Sequence, residues 1–152
     1  MKLMFPGSFD PFTIGHADLV ERALKLSDHV VIAVGINERK KPLYTDQQRI
    51  DAIGLYYKDN SKVSVIGYDG FTVDAVRETG CDAILRGVRS AADYEMERYM
   101  ADVNRAIAGV ETVILVASQN MQHVSSSLVR EMLAFERNAD DMVIDTFKTG
   151  NR

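Results

Sequence analysis

Short apolar runs rich in branched residues alternate along this chain with stretches whose apolar positions recur at helical spacing. Lys2–Phe5 reads as a strand leading into a Gly/Pro-rich turn. A helix follows from about Gly15 to Leu26, its apolar stripe formed by Ala17, Leu19, Val20, Ala23, Leu24 and Leu26. His29–Ile36 is a β-branched run of the length expected for a buried parallel strand. Thr45 opens the next helix with Gln48 three residues on, the capping-box spacing, and the pattern continues to about Tyr57. Lys62–Gly67 is a third strand, and the helix over Val73–Thr79 stops at Gly80. Asp82–Leu85 forms a fourth strand, with Cys81 opening it. A long helix from about Ala91 to Ala108 ends before Gly109, Glu111–Ala117 is a fifth strand, and Ser125–Glu136 is a helix. Ala139–Lys148 has room for one more short helix, and Pro6, Pro11 and Pro42 are assigned to turns.

Five strands alternating with helices, each crossover long enough for a right-handed βαβ unit, predict an α/β fold. The expected architecture is a Rossmann-like, doubly wound, five-stranded parallel sheet in a single domain spanning residues 1–152. Ligands in such folds bind at the carboxyl ends of the strands, where helix N-termini point. The loops after strands one, two, four and five are therefore where chemistry is expected.

Composition narrows the function classes. The 152 residues are 46% hydrophobic and 26% charged, ordinary for one globular domain. A net charge of −4 argues against a general binder of nucleic-acid polymers, which needs a basic face. The single cysteine excludes an internal disulfide, and no CxxC or His/Cys cluster marks a zinc site, so no residue is put forward as a metal ligand. The longest apolar runs, Val30–Val34 and Val113–Ala117, are far too short for a membrane span, and the N-terminus lacks the apolar stretch of a signal peptide. A soluble, cytoplasmic protein is expected.

Four loops carry residues suited to anions. The first, Pro6-Gly7-Ser8-Phe9-Asp10-Pro11-Phe12-Thr13-Ile14-Gly15-His16, is neither a Walker loop nor a GxGxxG turn. It offers glycines for close backbone approach, a hydroxyl at Ser8 and an imidazole at a helix start. His16 can be a cap or a packed ring there, or a donor to a phosphoryl oxygen. After strand five, Ser125, Ser126 and Ser127 are good N-caps, and equally a second anion-binding helix terminus. After strand four, Arg86-Gly87-Val88-Arg89 offers two guanidinium forks suited to phosphate, or two surface charges. Arg39-Lys40-Lys41-Pro42 adds a cationic loop whose bland reading is a solvated turn. Together these segregate positive charge on one edge of an acidic chain, as a polyphosphate site requires.

These residues match a family. Thr13-Ile14-Gly15-His16 resembles the [HT]xGH signature, and Ser125-Ser126-Ser127-Leu128-Val129-Arg130 the SS[ST]xxR signature, of the nucleotidyltransferase superfamily. Within it, PGSFDPFTIGH, the KKP loop and RGVRSAADYE resemble the phosphopantetheine adenylyltransferases of bacterial type, over Lys2 to about Phe135. The resemblance implies transfer of an adenylyl group from ATP to 4′-phosphopantetheine, giving dephospho-CoA and pyrophosphate, with magnesium as cofactor. It assigns His16 to catalysis, Ser8 and Phe9 to the junction of the two substrates, and Lys40, Thr72 and Arg86 with Ser8 to the acceptor. ATP is assigned Gly87, Val88, Arg89 and Glu97, and the stretch Met121, Gln122, His123, Val124, Ser125, Ser126 and Ser127, together with Ser8, Phe9 and His16. Relatives assemble as hexamers, and the apolar helix Tyr94–Ala108 gives such an assembly something to bury.

A phosphate nucleophile is already ionised at neutral pH, so such a site needs positioning and charge stabilisation rather than a general base. No Ser-His-Asp or Cys-His arrangement is apparent. Two other readings compete: a sister adenylyl- or cytidylyltransferase with another small phosphorylated acceptor, and a nucleotide-binding regulatory module without catalysis.

Overall fold

The computed structural model describes residues 1–151. Its strands are β1 (Lys2–Gly7), β2 (His29–Gly35), β3 (Val63–Tyr68), β4 (Ala83–Val88) and β5 (Glu111–Val116), all parallel in one sheet of order β3-β2-β1-β4-β5. Between and after them run α1 (Ile14–Ala23), α2 (Asp46–Tyr56), α3 (Thr72–Thr79), α4 (Ala91–Ala108) and α5 (Ser126–Ala134). This is the doubly wound arrangement expected from the alternation, with the chain reversing its direction of growth between β1 and β4.

Successive strand residues face opposite sides, and the two faces bury different sets. Leu3, Phe5, Val30, Ile32 and Leu85 pack with Leu19, Val20, Ile53 and Val129 from α1, α2 and α5. Met4, Ala33 and Ile84 pack with Val73 and Val76 of α3 on the other face. Helix α4 has no buried residue; Met96 is 71% and Tyr99 66% exposed.

Local signals explain where the helices stop. Thr45 and Gln48 form the reciprocal capping box that starts α2. Gly80 and Gly109 take left-handed conformations, φ 65° and 68°, ending α3 and α4 where a side chain would be strained.

Several expectations need correction. Pro6 is in β1, not a turn, and β1–β4 pairing covers only Leu3↔Ala83 and Met4↔Ile84, stopping short of that proline. Proline has no N–H for a ladder, so the central strand can carry it where its pairing with β4 has ended. Strand β4 runs on through Arg86 and Gly87, which are strand residues rather than loop residues. Cys81 precedes β4 in the turn after Gly80, donating its N–H to Val76 O at 3.0 Å. Helix α1 begins at Ile14 and ends at Ala23, and Ser125 is the cap of α5 rather than its first turn. In place of one short helix, the C-terminal segment makes single 3₁₀ turns at Asp140–Met142 and Asp145–Phe147. It packs Val143, Ile144 and Phe147 into the core and pairs Val143 with Thr13.

Candidate active site

The site lies where β1 and β4 part. Arg86, on β4, donates from Nη1 to the Pro6 carbonyl at 2.6 Å, bridging the strands beyond their ladder. Its Nε and Nη2 donate to the two carboxylate oxygens of Glu97 on α4, at 2.9 and 2.7 Å. This bidentate pair engages two of the guanidinium's nitrogens with one carboxylate.

His16 shows why its motif has that spacing. Thr13 is the N-cap of α1, its Oγ1 accepting from the His16 N–H at 3.2 Å, while the Thr13 N–H donates to His16 Nδ1 at 2.9 Å. The imidazole thus fills the place a Glu or Gln takes in an ordinary capping box. Because Nδ1 accepts, the ring's proton sits on Nε2. The rings of Phe5, Phe9 and Phe12 surround it, with centroids 6.0, 5.0 and 5.1 Å away. Burial, then the charges of Arg86 and Arg89, lower the pKa of His16 to about 3. The cap and donor readings of His16 are therefore compatible: one nitrogen caps the helix and leaves a neutral N–H on the other.

Two cavities flank this point. The larger, about 900 Å³, is lined by Lys40, Lys41, Thr72, Met100, Asn104 and Thr112 among others. The smaller, about 320 Å³, is lined by Phe9, His16, Gly87, Val88, Arg89, Met121 and Val124 through Ser127 among others. Pro6, Gly7, Ser8, Arg86, Glu97 and Arg130 line both, so they form the partition. Of the residues assigned from sequence, Lys40 and Thr72 line only the larger cavity, and Phe9, His16, Gly87, Val88, Arg89, Met121 and Val124 through Ser127 only the smaller. Gln122 and His123 are exposed and line neither cavity. Phe9 has its side chain buried, at φ 50°, and a Cβ on Gly7 would stand 2.9 Å from its ring. Glycine at position 7 therefore permits the turn that carries Phe9 under His16.

The three serines do different work. Ser125 caps α5, accepting from the Leu128 N–H at 3.0 Å. The Ser126 hydroxyl donates to Pro11 O at 2.8 Å and ties α5 to the loop after β1. Ser127 is exposed, its Oγ accepting from Arg130 Nη2 at 3.2 Å. Thr72 shares a hydrogen bond with the Tyr68 hydroxyl at 2.9 Å. Arg89 donates its backbone N–H to Asp93 Oδ2 at 3.0 Å and pairs with that carboxylate through Nε.

Three charged residues at the site are given no role by the sequence, Arg130 standing only as the last residue of the serine signature. Arg130 donates to Asp10 O at 2.9 Å beside the serines, and its signal was its place one turn after them. Asp10 and Arg49 are charged yet buried, at 5% and 2% exposure. The signal at Arg49 was a charge one turn before Ile53 on the buried face of α2.

Among the described residues, no group of three or more His, Cys, Asp or Glu could hold a metal ion, and no helix is long and apolar enough to cross a membrane.

Known proteins resemble this chain over nearly its whole length. The cytidylyltransferase-like family profile matches residues 4–132. The chain is 48% identical over 144 residues to the phosphopantetheine adenylyltransferase of Porphyromonas gingivalis, covering 95% of this chain and 94% of that one. It is 41% identical to the enzyme of that name from Bacteroides thetaiotaomicron, covering 93% and 94%. Among solved structures, a bifunctional NMN adenylyltransferase/ADP ribose pyrophosphatase from Francisella tularensis superposes with a TM-score of 0.66 at 15% identity, over 93% of this chain and 44% of that one. A lipopolysaccharide core biosynthesis protein from Thermoplasma volcanium gives 0.55 at 22% identity, over 78% and 96%. The structural likenesses speak to the fold, the sequence likenesses to kinship.

Proposed function

We infer the reaction from kinship and geometry together: the chain belongs to the phosphopantetheine adenylyltransferase family, and its two joined cavities fit adenylyl transfer from ATP to 4′-phosphopantetheine. The products are dephospho-CoA and pyrophosphate. The observation that carries this reading is the shared partition. A phosphate held in the larger cavity and a triphosphate held in the smaller one would meet at Ser8 and Arg86, with His16 on the smaller side.

An oxygen of the acceptor's phosphate forms a bond to the α-phosphorus of ATP. The bond from that phosphorus to the bridging oxygen breaks, and pyrophosphate leaves with its electron pair. No proton need be removed from the nucleophile. What the site supplies is alignment and a preorganised donor for charge spreading over the equatorial oxygens. His16 fits that role through its neutral Nε2–H, whose orientation is fixed from the other side of the ring by Thr13. Lys40 and Arg86 supply positive charge to the acceptor, while Arg89 and the α5 N-terminus at Ser126 and Ser127 supply donors to the triphosphate. The larger cavity extends beneath α4 past Met100 to Asn104 and Thr112. Thr112 Oγ1 is buried there without a hydrogen-bond partner among the described residues. That extension, apolar with isolated polar groups, suits the pantetheine arm with its amides.

The described residues do not build a resident metal site of their own. A magnesium ion would enter as a hard, oxygen-liganded cation with the triphosphate and would offset its charge, while the chain's residues carry the steps above. The uncovered face of α4 supports assembly with further copies of the chain, a hexamer by family resemblance, and the cytoplasm is the compartment we assign.

Pyrophosphate release from ATP, assayed with 4′-phosphopantetheine, nicotinate mononucleotide and glycerol phosphate as acceptors, tests the reading. Release with the first alone is expected; release with either of the others and not with the first overturns it. Lys40→Ala and Arg86→Ala should raise KM chiefly for the acceptor, and Arg89→Ala should also raise it for ATP.

A further inference from the structure

The loop that brings Lys40 to the larger cavity spans residues 36–45 and has no regular secondary structure. Its return end is gripped from two sides by buried charges. Asp10 accepts the Leu43 N–H on Oδ2 at 2.8 Å and the Tyr44 N–H on Oδ1 at 2.9 Å. Arg49 donates from Nε to the carbonyls of Tyr44 and Thr45, at 3.2 and 3.4 Å. The same guanidinium donates through Nη1 to Ser8 O and Gly35 O, and Nη2 pairs with Asp46.

One side chain thus joins the loop bearing Lys40, the loop bearing Ser8 and the end of β2. A carboxylate from the Ser8 loop holds the opposite edge of the same peptide segment. Ordinary core packing would not require a buried charge at either position. We propose that Asp10 and Arg49 are positioning residues that set Lys40 against Ser8 and so determine affinity for the acceptor's phosphate. This rests on the assignment of the larger cavity to the acceptor.

Lysine at position 49 keeps the charge but cannot span three carbonyl-bearing segments with a fork. Asparagine at position 10 keeps the volume but presents an amide N–H₂ where a carboxylate oxygen accepted. A displacement of Lys40 by about an ångström is enough to cost roughly tenfold to a hundredfold.

Steady-state kinetics of Arg49→Lys and Asp10→Asn, each alone and in a Lys40→Ala background, with circular dichroism and ATP affinity measured alongside, test the proposal. The expected result is a KM for 4′-phosphopantetheine raised at least about tenfold, ATP affinity within about twofold of wild type, and the penalty abolished once Lys40 is absent. Equal losses with and without Lys40, an unchanged acceptor KM, or loss of folding in both single variants would overturn it. If one variant fails to fold, the other carries the same comparison. Wild-type turnover in the same assay separates the two ideas, since a wild type inactive with this acceptor sinks the functional assignment itself.

Discussion

Arg86 and Glu97 close on each other across the partition between the two cavities, with both carboxylate oxygens of Glu97 taken by the guanidinium. The pair, with the bond from Nη1 to the Pro6 carbonyl, fixes the arginine at the junction. Glu97 is the more enclosed partner, at 16% side-chain exposure against 34% for Arg86.

Replacing Glu97 by Gln should disturb the acceptor through Arg86 and ATP through Glu97's own place in the smaller cavity. One charge-assisted hydrogen bond becomes neutral and another meets an N–H₂, at a cost of order 1.5–3 kcal/mol in this setting. Losses of roughly tenfold to a hundredfold in kcat/KM are expected for ATP and for the acceptor, read by pyrophosphate release. A defect confined to ATP would show that Arg86 does not depend on Glu97 for its place.

His16 should remain neutral far into acid. With its folded pKa near 3 and an ordinary value of 6.5, the unfolded chain takes up this proton first as pH falls. Stability is unaffected by this group above about pH 6.5 and is penalised progressively between 6.5 and 3. An NMR titration should find no His16 protonation from pH 8 to 5, and His16→Asn should lose less stability than wild type over that interval. An imidazole titrating near 6.5 would refute the ring-enclosed, doubly cation-flanked description.

The serines of α5 should separate by readout. Ser125→Ala removes the helix cap and should lower stability by about 1 kcal/mol in denaturant unfolding. Ser127→Ala, whose hydroxyl is exposed, should leave stability within about 0.5 kcal/mol and weaken ATP binding. Equal effects from both would leave no distinction between cap and ligand.

The exposed face of α4 makes a further prediction about assembly. Charge placed at both Met96 and Tyr99, as M96E/Y99E, should shift the sedimenting species toward the monomer. The circular dichroism spectrum should be unchanged, because neither side chain is buried within one subunit. A wild type that sediments as a monomer would remove the assembly proposal.

Much of the fold could be read from local signals along the chain, and the parts that could not share a cause. Gly80 and Gly109 announced the ends of α3 and α4, and Thr45 with Gln48 announced the start of α2, because those signals are local. The capping box at Thr13 escaped the same rule because a histidine stands where Glu or Gln is usual. Strand β4 looked shorter than it is because Arg86 and Gly87 interrupt its apolar run, and that interruption is what turns a guanidinium toward Pro6. Arg49 and Asp10 are given no role by any motif along the chain. Their burial depends on contacts with Ser8, 41 residues away, and with Tyr44, 34 residues away, which no window along the chain contains. Val143 reaches Thr13 in the same long-range way.

The most direct test of the account is acceptor-dependent pyrophosphate release by wild type and His16→Ala, with ATP binding measured in parallel. If the neutral imidazole stabilises charge at the α-phosphate, kcat falls roughly 10²–10³-fold while ATP affinity changes little. A kcat that survives the substitution, with 4′-phosphopantetheine as acceptor, would contradict it.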